Sequence, residues 1–523
     1  MGGAPAPGTK DTRTDGDTVV VVGGGIAGLA AAWELACSSP TPRVVVLEAS
    51  DRLGGKIRTD VVGGRPVDLG PDAFLARRPE AVALAREIGI DADLVPPGSR
   101  RAYVWSRGRL RPLPDGLALG VPTRIGPVLR SGILSPRGLA RAGLDLLAMS
   151  PSWRTRHRAR PSQPAGPTGM PAGTVPARPA FDRAAGDIVE TSLGREVVER
   201  LVDPLVGGIH AGPVDAMSAA AVYPPLLTAS ERPGSLVRAL RAGAPAPPDG
   251  SAASAPPVFL TPRAGLGTFV DALVGALAAE GVAIRSSAPV TALERTAGGA
   301  HGHRRWRVHV DGEGGEGVVD AARVVVATPA PAAAELLGPV DDMLGRLLRT
   351  IEYATVTVVT FVLPADAVGR ELDGTGFLVP AVEGWLTTAC TWMSTKWPQL
   401  DRPDDVVLRA SVGRFGDERA QSMGDDEVAA AVLAELTPVL ALGRTPAAAP
   451  TATVVTRWPG AFPQYAVGHL DLVDRIEAAA AALGGLALAG AAYRGVGIPA
   501  CIASGRRAAR LLAGTEVPLQ AGR

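Results

Sequence analysis

Four consecutive valines that lead directly into a glycine-rich turn constrain the fold of this chain more than any other feature. The run Val19–Val22 is continuously β-branched, as expected for a strand that is buried on both faces of a parallel sheet. The turn that follows has the spacing G-x-G-x-x-G. Here Gly23 permits a tight turn, Gly25 lets the backbone approach a pyrophosphate, and Gly28 lets a helix press against the strand. That helix would point its free N–H groups and the positive end of its dipole at the phosphates.

A second apolar strand, Val44–Leu47, ends in an acid at the position that a bound dinucleotide requires. Glu48 lies twenty residues after Gly28, where an acidic side chain accepts hydrogen bonds from the ribose hydroxyls of an adenosine. Because an acid there disfavours a ribose 2′-phosphate, NADP is the poorest fit among the dinucleotides. The sequence therefore predicts a dinucleotide-binding β-α-β unit near its start, with FAD and NAD both open.

Composition and charge narrow the class of protein. Of the 523 residues, 53 are Lys or Arg and 52 are Asp or Glu, and this net charge of +1 excludes a nucleic-acid binder that works through bulk electrostatics. The three cysteines form no CxxC pair, which excludes a disulfide scaffold and a cysteine-based zinc site, so we expect no metal. The segment 1–17 lacks the layout of a secretory signal, and no stretch offers about twenty uninterrupted apolar residues. We therefore expect a cytoplasmic protein.

Three segments are expected to lie outside the packed domains. Residues 151–180 and 242–257 are rich in Pro, Gly and Ala without a hydrophobic period, which predicts flexible loops, and residues 1–17 are expected to be disordered. The segment 133–153 mixes Leu, Met and Trp with arginines. It fits either a helix packed on its own domain or an interfacial helix that gives peripheral membrane contact.

A second glycine motif distinguishes FAD from NAD. Residues 51–59 read DRLGGKIRT, and two adjacent glycines between basic residues suit a loop that wraps a second side of a pyrophosphate. This string resembles the R-x-G-G-[RK]-x-x-[ST] motif of the flavin amine oxidase superfamily, which implies FAD as the cofactor. The strand Val324–Pro329 resembles the same superfamily, as does a glycine-rich segment, 490–505, that leads into a helix-forming stretch at 506–512.

Four further strings narrow the resemblance within that superfamily. They read DLGPDAFLARRPE at 68–80, LVDPLVGGIHAG at 201–212, TTACTWMSTKWP at 387–398, and RWP followed by FPQY within 457–465. Together, in this order and spacing, they resemble the oxygen-dependent porphyrinogen oxidases of haem synthesis along most of the chain from Val19 to Leu512.

The resemblance implies an α/β fold of the mixed α+β kind. A Rossmann-like FAD-binding domain of the flavin amine oxidase type would carry an inserted mixed-sheet substrate domain and a helical domain. The expected boundaries are 18–95, 259–345 and 455–515 for the FAD-binding domain, 96–112, 217–258 and 346–454 for the substrate-binding domain, and 113–216 for the helical domain with its loop 151–180.

The reaction implied by the resemblance is FAD-dependent oxidation of coproporphyrinogen III to coproporphyrin III, with oxygen reduced to hydrogen peroxide. Protoporphyrinogen IX is the alternative substrate, and it needs fewer cations because it carries two propionates rather than four. Extra arginines near Arg77 favour coproporphyrinogen III without proving it. An amine oxidase or a carotenoid desaturase is the remoter alternative, although only 4% of the residues are aromatic, which is few for an amine-binding aromatic cage.

The resemblance also assigns the cofactor site residue by residue. FAD would be held without a covalent bond, and Cys501 in the C-terminal segment is interpreted as a small buried hydrophobic residue. Val290, in a predicted strand that begins at Ala283, would contact the adenine. The expected cofactor-binding residues are Gly23, Gly24, Gly25, Ile26, Ala27, Gly28, Glu48, Ala49, Arg52, Gly55, Lys56, Gly70, Pro71, Asp72, Ala73, Val290, Trp458, Gly490, Val496, Gly497 and Ile498.

The substrate site is expected at a glycine pair and at arginines. Gly207 and Gly208 would let the backbone approach the macrocycle, with the Gly208 backbone near the substrate, and His210 would form part of the pocket wall. The flavin N5 would accept the hydride while an N–H proton of the substrate leaves elsewhere, and no residue is assigned as the general base. The arginines expected to bind propionates are Arg77, Arg78 and Arg101. The expected partners are the porphyrinogen, oxygen and a transiently bound ferrochelatase, but no nucleic acid, and the chain would be a monomer or a homodimer.

Overall fold

The computed structural model describes a defined part of the chain: residues 17–147, 182–243, 257–296, 305–312, 317–442 and 449–515. The predicted flexible segment 151–180 therefore lies outside the described residues, as do residues 1–16 and all but the ends of 242–257. Within the described part, no helix combines the length and the apolar character needed to cross a bilayer.

The secondary structure alternates strands and helices along the chain. The strands of the described residues are β1 (Thr18–Val22), β2 (Arg43–Leu47), β3 (Thr59–Val62), β4 (Arg65–Asp68), β5 (Phe74–Leu75), β6 (Leu94–Val95), β7 (Tyr103–Ser106), β8 (Arg109–Pro112), β9 (Leu117–Ala118), β10 (Val121–Pro122), β11 (Phe259–Pro262), β12 (Ala283–Arg285), β13 (Val290–Thr296), β14 (Arg305–Val310), β15 (Gly317–Ala321), β16 (Arg323–Val326), β17 (Tyr353–Pro364), β18 (Gly376–Leu378), β19 (Thr387–Trp392), β20 (Asp405–Val412), β21 (Ala452–Pro463) and β22 (Leu486–Leu488). The α-helices are α1 (Ile26–Ala36), α2 (Pro79–Glu87), α3 (Ile125–Ser131), α4 (Pro136–Leu146), α5 (Ala185–Leu193), α6 (Arg195–Val197), α7 (Gly208–His210), α8 (Ala219–Val222), α9 (Pro224–Ser230), α10 (Leu236–Gly243), α11 (Gly267–Ala279), α12 (Ala330–Leu337), α13 (Asp342–Arg349), α14 (Met393–Lys396), α15 (Asp425–Leu440), α16 (His469–Ala482) and α17 (Ile498–Ala513). A π-helical stretch, Val198–Gly207, joins α6 to α7.

A parallel five-stranded sheet in the order β12-β2-β1-β16-β22 carries the glycine-rich turn. Its central strand, β1, is buried along its whole length. Val19 and Val21 pack into a core with α1, α11 and α17, whereas Val20 and Val22 pack into a second core with α12, α13 and α16. Both faces of the strand are therefore covered, which explains why its sequence is a continuous β-branched run and not an alternating one.

The two ends of the chain meet on this sheet, where α17 packs against α1. A Cβ atom added to Gly505 of α17 would stand 2.0 Å from the carbonyl oxygen of Ala27. The helix backbones are thus in direct contact, which requires glycine at this position because any side chain would separate them. This packing places the C-terminal glycine-rich segment beside the N-terminal turn.

A second, mixed sheet of seven strands has the order β21-β17-β20-β19-β18-β7-β8. Its neighbouring strands are antiparallel except for β18 and β7, which are parallel. The long helix α15 covers one face through Val428, Val432 and Leu436, which are all fully buried. The expected combination of a dinucleotide-binding sheet, a mixed sheet and a helical part is confirmed.

The helical part contains α3 to α10 around a core of its own. Asp145 near the end of α4 is buried, and its carboxylate accepts hydrogen bonds from the N–H groups of Leu236 and Val237 at 3.0 and 3.1 Å. These are N–H groups of the first turn of α10, so Asp145 caps that helix from outside. The cap fixes how α4 and α10 lie against each other.

Candidate active site

The glycine-rich turn after β1 has the local geometry that its sequence predicts. Gly23 has a φ of 107°, a conformation that residues with a side chain rarely adopt. A Cβ atom added to Gly28 would stand 2.0 Å from the carbonyl oxygen of Gly23. The helix α1 therefore begins in contact with the turn, and its first N–H groups face the space above the strand ends.

Glu48 is held at the end of β2 by hydrogen bonds to both of its carboxylate oxygens. The N–H of Gly24 donates to Oε2 at 2.7 Å, and the N–H and hydroxyl of Ser50 donate to Oε1 at 2.9 and 2.7 Å. Each carboxylate oxygen can accept more than one hydrogen bond, so Glu48 keeps capacity for ribose hydroxyls. These contacts orient the acid toward the first glycine motif.

The second glycine motif contacts the first. The N–H of Gly54 donates to the carbonyl of Gly24 at 2.9 Å, and a Cβ atom added to Gly55 would stand 3.2 Å from the Cα of Gly25. The guanidinium of Arg52 braces this loop by donating to the carbonyl of Ile57 at 3.1 Å. The two turns thus form one narrow backbone cradle of the kind that a pyrophosphate fits, and we call the turns at 23–28 and 54–56 the flavin cradle.

The segment 68–73 beside the cradle is held by side chains of the seven-stranded sheet. The guanidinium Nη1 of Arg409 on β20 donates to the carbonyls of Asp68 and Gly70 at 2.9 and 2.8 Å. The indole N–H of Trp458 on β21 donates to the carbonyl between them, that of Leu69, at 3.0 Å. Three consecutive carbonyls are therefore held, and a Cβ atom on Gly70 would stand 2.1 Å from the carbonyl oxygen of Lys56 in the cradle.

The side chain of Asp72 lies in a buried ion network. It accepts from Lys396 Nζ at 2.7 Å, from Trp397 Nε1 at 3.0 Å and from Arg409 Nη2 at 3.0 Å. Burial alone would raise the pKa of Asp72, but the Arg409 guanidinium and the Lys396 ammonium hold this pKa well below its usual range. Asp72 is therefore ionised, and its carboxylate links segment 68–73 to the seven-stranded sheet.

The pKa of Asp68 is shifted in the opposite direction from that of Asp72. Burial raises the pKa of Asp68 to about 6, even though Thr59 Oγ1 and the N–H of Leu266 donate to its carboxylate. Two carboxyl groups four residues apart are thus shifted in opposite directions by their surroundings. The residues that sequence reasoning missed here are Lys396, Trp397 and Arg409, although the first two stand in the quoted string 387–398.

Lys56 and Cys501 lie close enough to affect each other electrostatically. Desolvation lowers the pKa of Lys56, which the Cys501 sulfur opposes. Burial raises the pKa of the Cys501 thiol to about 11, and the Lys56 ammonium opposes that rise. The Cys501 sulfur is consequently a protonated thiol at neutral pH and a poor nucleophile.

The C-terminal glycine-rich segment leaves open space beside its backbone. A Cβ atom on Gly490 or Gly497 would meet nothing within 4 Å. Tyr465 supports this segment, since its hydroxyl accepts from the N–H of Gly495 at 2.9 Å and donates to a neighbouring carbonyl. The helix α17 begins at Ile498, eight residues before the helix-forming stretch that the sequence indicates, and Pro499 occupies its first turn.

The strand expected to run from Ala283 to Val290 is two strands. β12 ends at Arg285, and Val290 begins β13 after a turn in which Ser287 has a φ of 50°. The turn itself lies along the end of β2, because the N–H of Ala288 donates to the carbonyl of Glu48 at 2.9 Å. A contact of Val290 with adenine stays a prediction.

Gly207 ends the π-helical stretch and Gly208 begins α7, and the two glycines differ in their surroundings. A Cβ atom on Gly207 would stand 2.7 Å from the carbonyl oxygen of Gly212, whereas one on Gly208 would meet nothing within 4 Å. The next residue, Ile209, exposes 48% of its surface. Gly207 therefore allows the close approach of the backbone at Gly212, whereas Gly208 and Ile209 form an exposed apolar strip.

His210 lies buried directly after this strip. Its Nδ1 has no hydrogen-bond partner among the described residues, and burial lowers its pKa to about 4, assisted by His469. Its ring lies 5.7 Å from that of Tyr465, which stacks on His469 at 4.0 Å. His210 is consequently a neutral imidazole in an aromatic column that reaches the C-terminal glycine-rich segment.

The three arginines expected at the propionates are exposed and differ in their partners. Arg78 lies 3.4 Å from Glu80, and Arg101 forms an ion pair with Asp373, which also accepts from the hydroxyl of Tyr103 at 2.6 Å. Among the described residues, no hydrogen bond or ion pair joins these arginines to the flavin cradle or to His210. Their assignment to a substrate stays a prediction.

Comparisons with known proteins agree with this geometry. The model of the flavin containing amine oxidoreductases matches residues 26–513. The chain belongs to this family. Within it, the chain is 32% identical to the coproporphyrinogen III oxidase of Bacillus subtilis, covering 94% of this chain and 96% of that one, and 34% identical to the enzyme of the same name in Mycobacterium bovis, covering 93% and 95%. Among solved structures, the chain is similar to a crystal structure described as a protoporphyrinogen oxidase from Exiguobacterium. The two superpose with a TM-score of 0.77 and are 29% identical in sequence, and the match covers 96% of this chain and 99% of that one.

This membership confirms three predictions from the sequence. The chain is a flavin-dependent oxidoreductase, it has the flavin amine oxidase fold, and it resembles the porphyrinogen oxidases along nearly its whole length. The described residues fit a flavin dinucleotide, because two glycine turns leave a backbone cradle beside an oriented Glu48 and open space beside Gly490 and Gly497.

Proposed function

We propose that this protein oxidises coproporphyrinogen III to coproporphyrin III, using non-covalently bound FAD and molecular oxygen and releasing hydrogen peroxide. The observation that carries the proposal is the combination of a flavin cradle with full-length similarity to relatives named coproporphyrinogen III oxidase in Bacillus and Mycobacterium. Bound FAD would supply a hydride acceptor that oxygen regenerates.

The protein's own task is to hold a flat, apolar, polyanionic macrocycle beside that cofactor. The strip of Gly208 and Ile209 supplies exposed backbone and an exposed apolar side chain close to the aromatic column of His210 and Tyr465. A neutral His210 adds no charge to an apolar slot, since its pKa of about 4 keeps the imidazole deprotonated at neutral pH. Arg77, Arg78 and Arg101 are proposed to bind propionates as exposed guanidinium groups.

The state of the nearby thiol supports non-covalent binding. Cys501 is the cysteine of the C-terminal glycine-rich segment, and its raised pKa keeps the sulfur protonated. Attack on a flavin methyl group would require a thiolate. The cofactor is therefore proposed to be held by the cradle, Glu48 and the segment 490–498, and acid precipitation of the protein should release all of the flavin into the supernatant.

The test is anaerobic reduction of the flavin by each porphyrinogen in a stopped-flow instrument. We expect fast loss of the flavin absorbance with coproporphyrinogen III and slower loss with protoporphyrinogen IX. The reverse order would favour the protoporphyrinogen alternative, to which the 29% identical chloroplastic protoporphyrinogen oxidase of rice lends support. Reduction by neither compound, with reduction by an amine or a carotenoid instead, would overturn the proposal.

The partners and the location of the protein are proposed on the same resemblance. We propose a cytoplasmic monomer or homodimer that passes its product to a ferrochelatase in a transient contact. Peripheral membrane contact is proposed through α3 and α4, where Leu129 and Leu144 are exposed, together with Leu147 just beyond α4. Exposed leucines beside arginines are typical of segments that lie in a membrane interface.

A further inference from the structure

A cavity of about 350 Å³ lies between α3, α4 and α10 in the helical part of the molecule. Ile125, Leu146 and Val237 contribute apolar surface to it. Its arginines are Arg124, Arg130, Arg238 and Arg241. None of the lining residues belongs to the flavin cradle or to the strip at 208–209, so the cavity is separate from the candidate active site.

These four guanidinium groups converge on one cavity without a partner of opposite charge among the described residues. No ion pair or side-chain hydrogen bond joins any of them to another group in the described part of the chain. By contrast, Arg494 and Arg507 share the carboxylate of Glu477 at distances of 2.7 to 3.0 Å. All four arginines are exposed, so solvent screens their mutual repulsion, but their convergence on one cavity concentrates positive charge that an anion from outside the chain could neutralise.

The three helices around the cavity contain one carboxylate that could pair with these arginines, and it makes other hydrogen bonds instead. The sequences of α3, α4 and α10 contain five arginines and a single acid, Asp145, in a chain whose charges are otherwise balanced. Asp145 caps α10 and also accepts from the hydroxyl of Ser235 at 2.6 Å. Because this cap holds α4 against α10, Leu146 and Val237 stand at fixed positions in the cavity wall.

We propose that this cavity binds a phosphate-bearing anion. A guanidinium group donates two parallel hydrogen bonds to phosphate oxygens, and a tetrahedral phosphate presents oxygens to several guanidinium groups at once. A phosphate ester carries up to about two negative charges at neutral pH, which suits four arginines better than a single carboxylate does. The apolar residues would contact the organic part of the ligand, and the volume lies at the lower end of small-molecule sites.

Two sources share this chemistry, a soluble phosphate ester and the headgroup of an anionic phospholipid. Calorimetric titration of the flavin-loaded protein with pyrophosphate tests the first. Sedimentation with phosphatidylcholine vesicles, with and without phosphatidylglycerol, tests the second. The variant Arg238→Gln with Arg241→Gln removes two lining charges, and Arg109→Gln with Arg475→Gln removes two exposed arginines that lie neither in the cavity nor on α3 or α4.

The lining variant should bind its probe at least about tenfold more weakly, since each charge-assisted hydrogen bond contributes about a factor of ten or more, and the control variant should bind within about twofold of the wild type. Loss of pyrophosphate binding identifies a soluble ligand, and loss of vesicle binding alone identifies a lipid headgroup. Equal weakening in both variants, equally tight binding of citrate, or no binding of either probe would overturn the proposal. Both variants should keep the wild-type melting temperature and porphyrinogen turnover, so a loss of anion binding would not reflect unfolding or a failure of the proposed oxidase activity.

Discussion

The ammonium of Lys396 donates to the carboxylate of Asp72 at 2.7 Å and so connects α14, which follows strand β19 of the mixed sheet, to the segment beside the flavin cradle. Both side chains are largely buried, and Arg409 binds the same carboxylate from the neighbouring strand β20. The position of segment 68–73 therefore depends on a sheet that is separate from the dinucleotide-binding sheet. We therefore expect flavin binding to depend on the mixed sheet through this network.

Replacement of Lys396 by Met should destabilise the flavin-loaded protein by about 1 to 3 kcal/mol. This loss is smaller than the cost of leaving a buried charge wholly unpaired, because Arg409 still forms an ion pair with Asp72. Flavin should also dissociate more readily, since segment 68–73 loses one of its anchors. Urea unfolding and the flavin content after gel filtration measure the two effects.

The matched control for this experiment is Arg346→Met, which breaks an exposed i,i+4 pair with Asp342. An exposed ion pair contributes at most about 1 kcal/mol, so the control should change little in stability and nothing in flavin content. Equal losses in both variants would mean that the network around Asp72 has no special role.

Features of the site that are formed by neighbouring residues can be predicted from the sequence, whereas features formed by residues far apart along the chain cannot. The turn at Gly23 and Gly28 is specified by consecutive residues, so its geometry follows from spacing alone. Arg409 stands in the plain strand sequence DVVLRASV, and its partners at Asp68 and Gly70 lie about 340 residues earlier. No periodicity or motif reports such a contact, because it arises only when two sheets pack together.

The same contrast explains the two differences in local structure. The start of α17 at Ile498 agrees with local signals, Gly497 just before the helix and Pro499 in its first turn, whereas the strongest helix-forming residues lie later, at 506–512. The break between β12 and β13 lies in the turn around Ser287, where backbone contacts with Glu48 and Ser50 determine the path of the chain. Those contacts depend on the neighbouring strand and leave no mark in the local sequence.

His210 should make the protein sensitive to acid. Its pKa is about 4 in the folded state against 6.5 for an ordinary histidine, so the unfolded chain binds a proton that the folded one does not. This contribution to stability is fully present above pH 6.5 and is lost as the pH falls toward 4, by up to about 1.4 kcal/mol per pH unit.

The variant His210→Phe keeps an aromatic ring beside Tyr465 and removes the titration. At pH 8 it should be at least as stable as the wild type, because Nδ1 has no hydrogen-bond partner in the part of the chain that the structure describes. The difference in unfolding free energy between variant and wild type, followed from pH 8 to pH 4, should grow in favour of the variant. A difference that is constant with pH would contradict the assignment.

Gly207 and Gly208 are adjacent and should respond differently to alanine. Gly207→Ala places a Cβ atom 2.7 Å from the carbonyl oxygen of Gly212, so we expect a loss of stability of about 1 to 3 kcal/mol. Gly208→Ala meets no atom within 4 Å in an ordinary helical conformation and should leave the melting temperature unchanged or slightly raised. If Gly208 lies beside the macrocycle, this variant should raise KM for the porphyrinogen while it keeps its flavin. An unchanged KM would remove Gly208 from the substrate site.

The exposed pair Arg77 and Arg78 should matter more for a substrate with four propionates than for one with two. The double variant Arg77→Ala with Arg78→Ala should raise KM for coproporphyrinogen III by about tenfold or more, and for protoporphyrinogen IX by less, because fewer carboxylates depend on these cations. Arg101→Gln is the comparison, since Arg101 already has Asp373 as an ion-pair partner and should have a smaller effect. Steady-state kinetics with both substrates measure the ratio. Equal increases for the two porphyrinogens would exclude Arg77 and Arg78 as the groups that distinguish them. A larger effect of Arg101→Gln would place the propionate contact just before β7 instead.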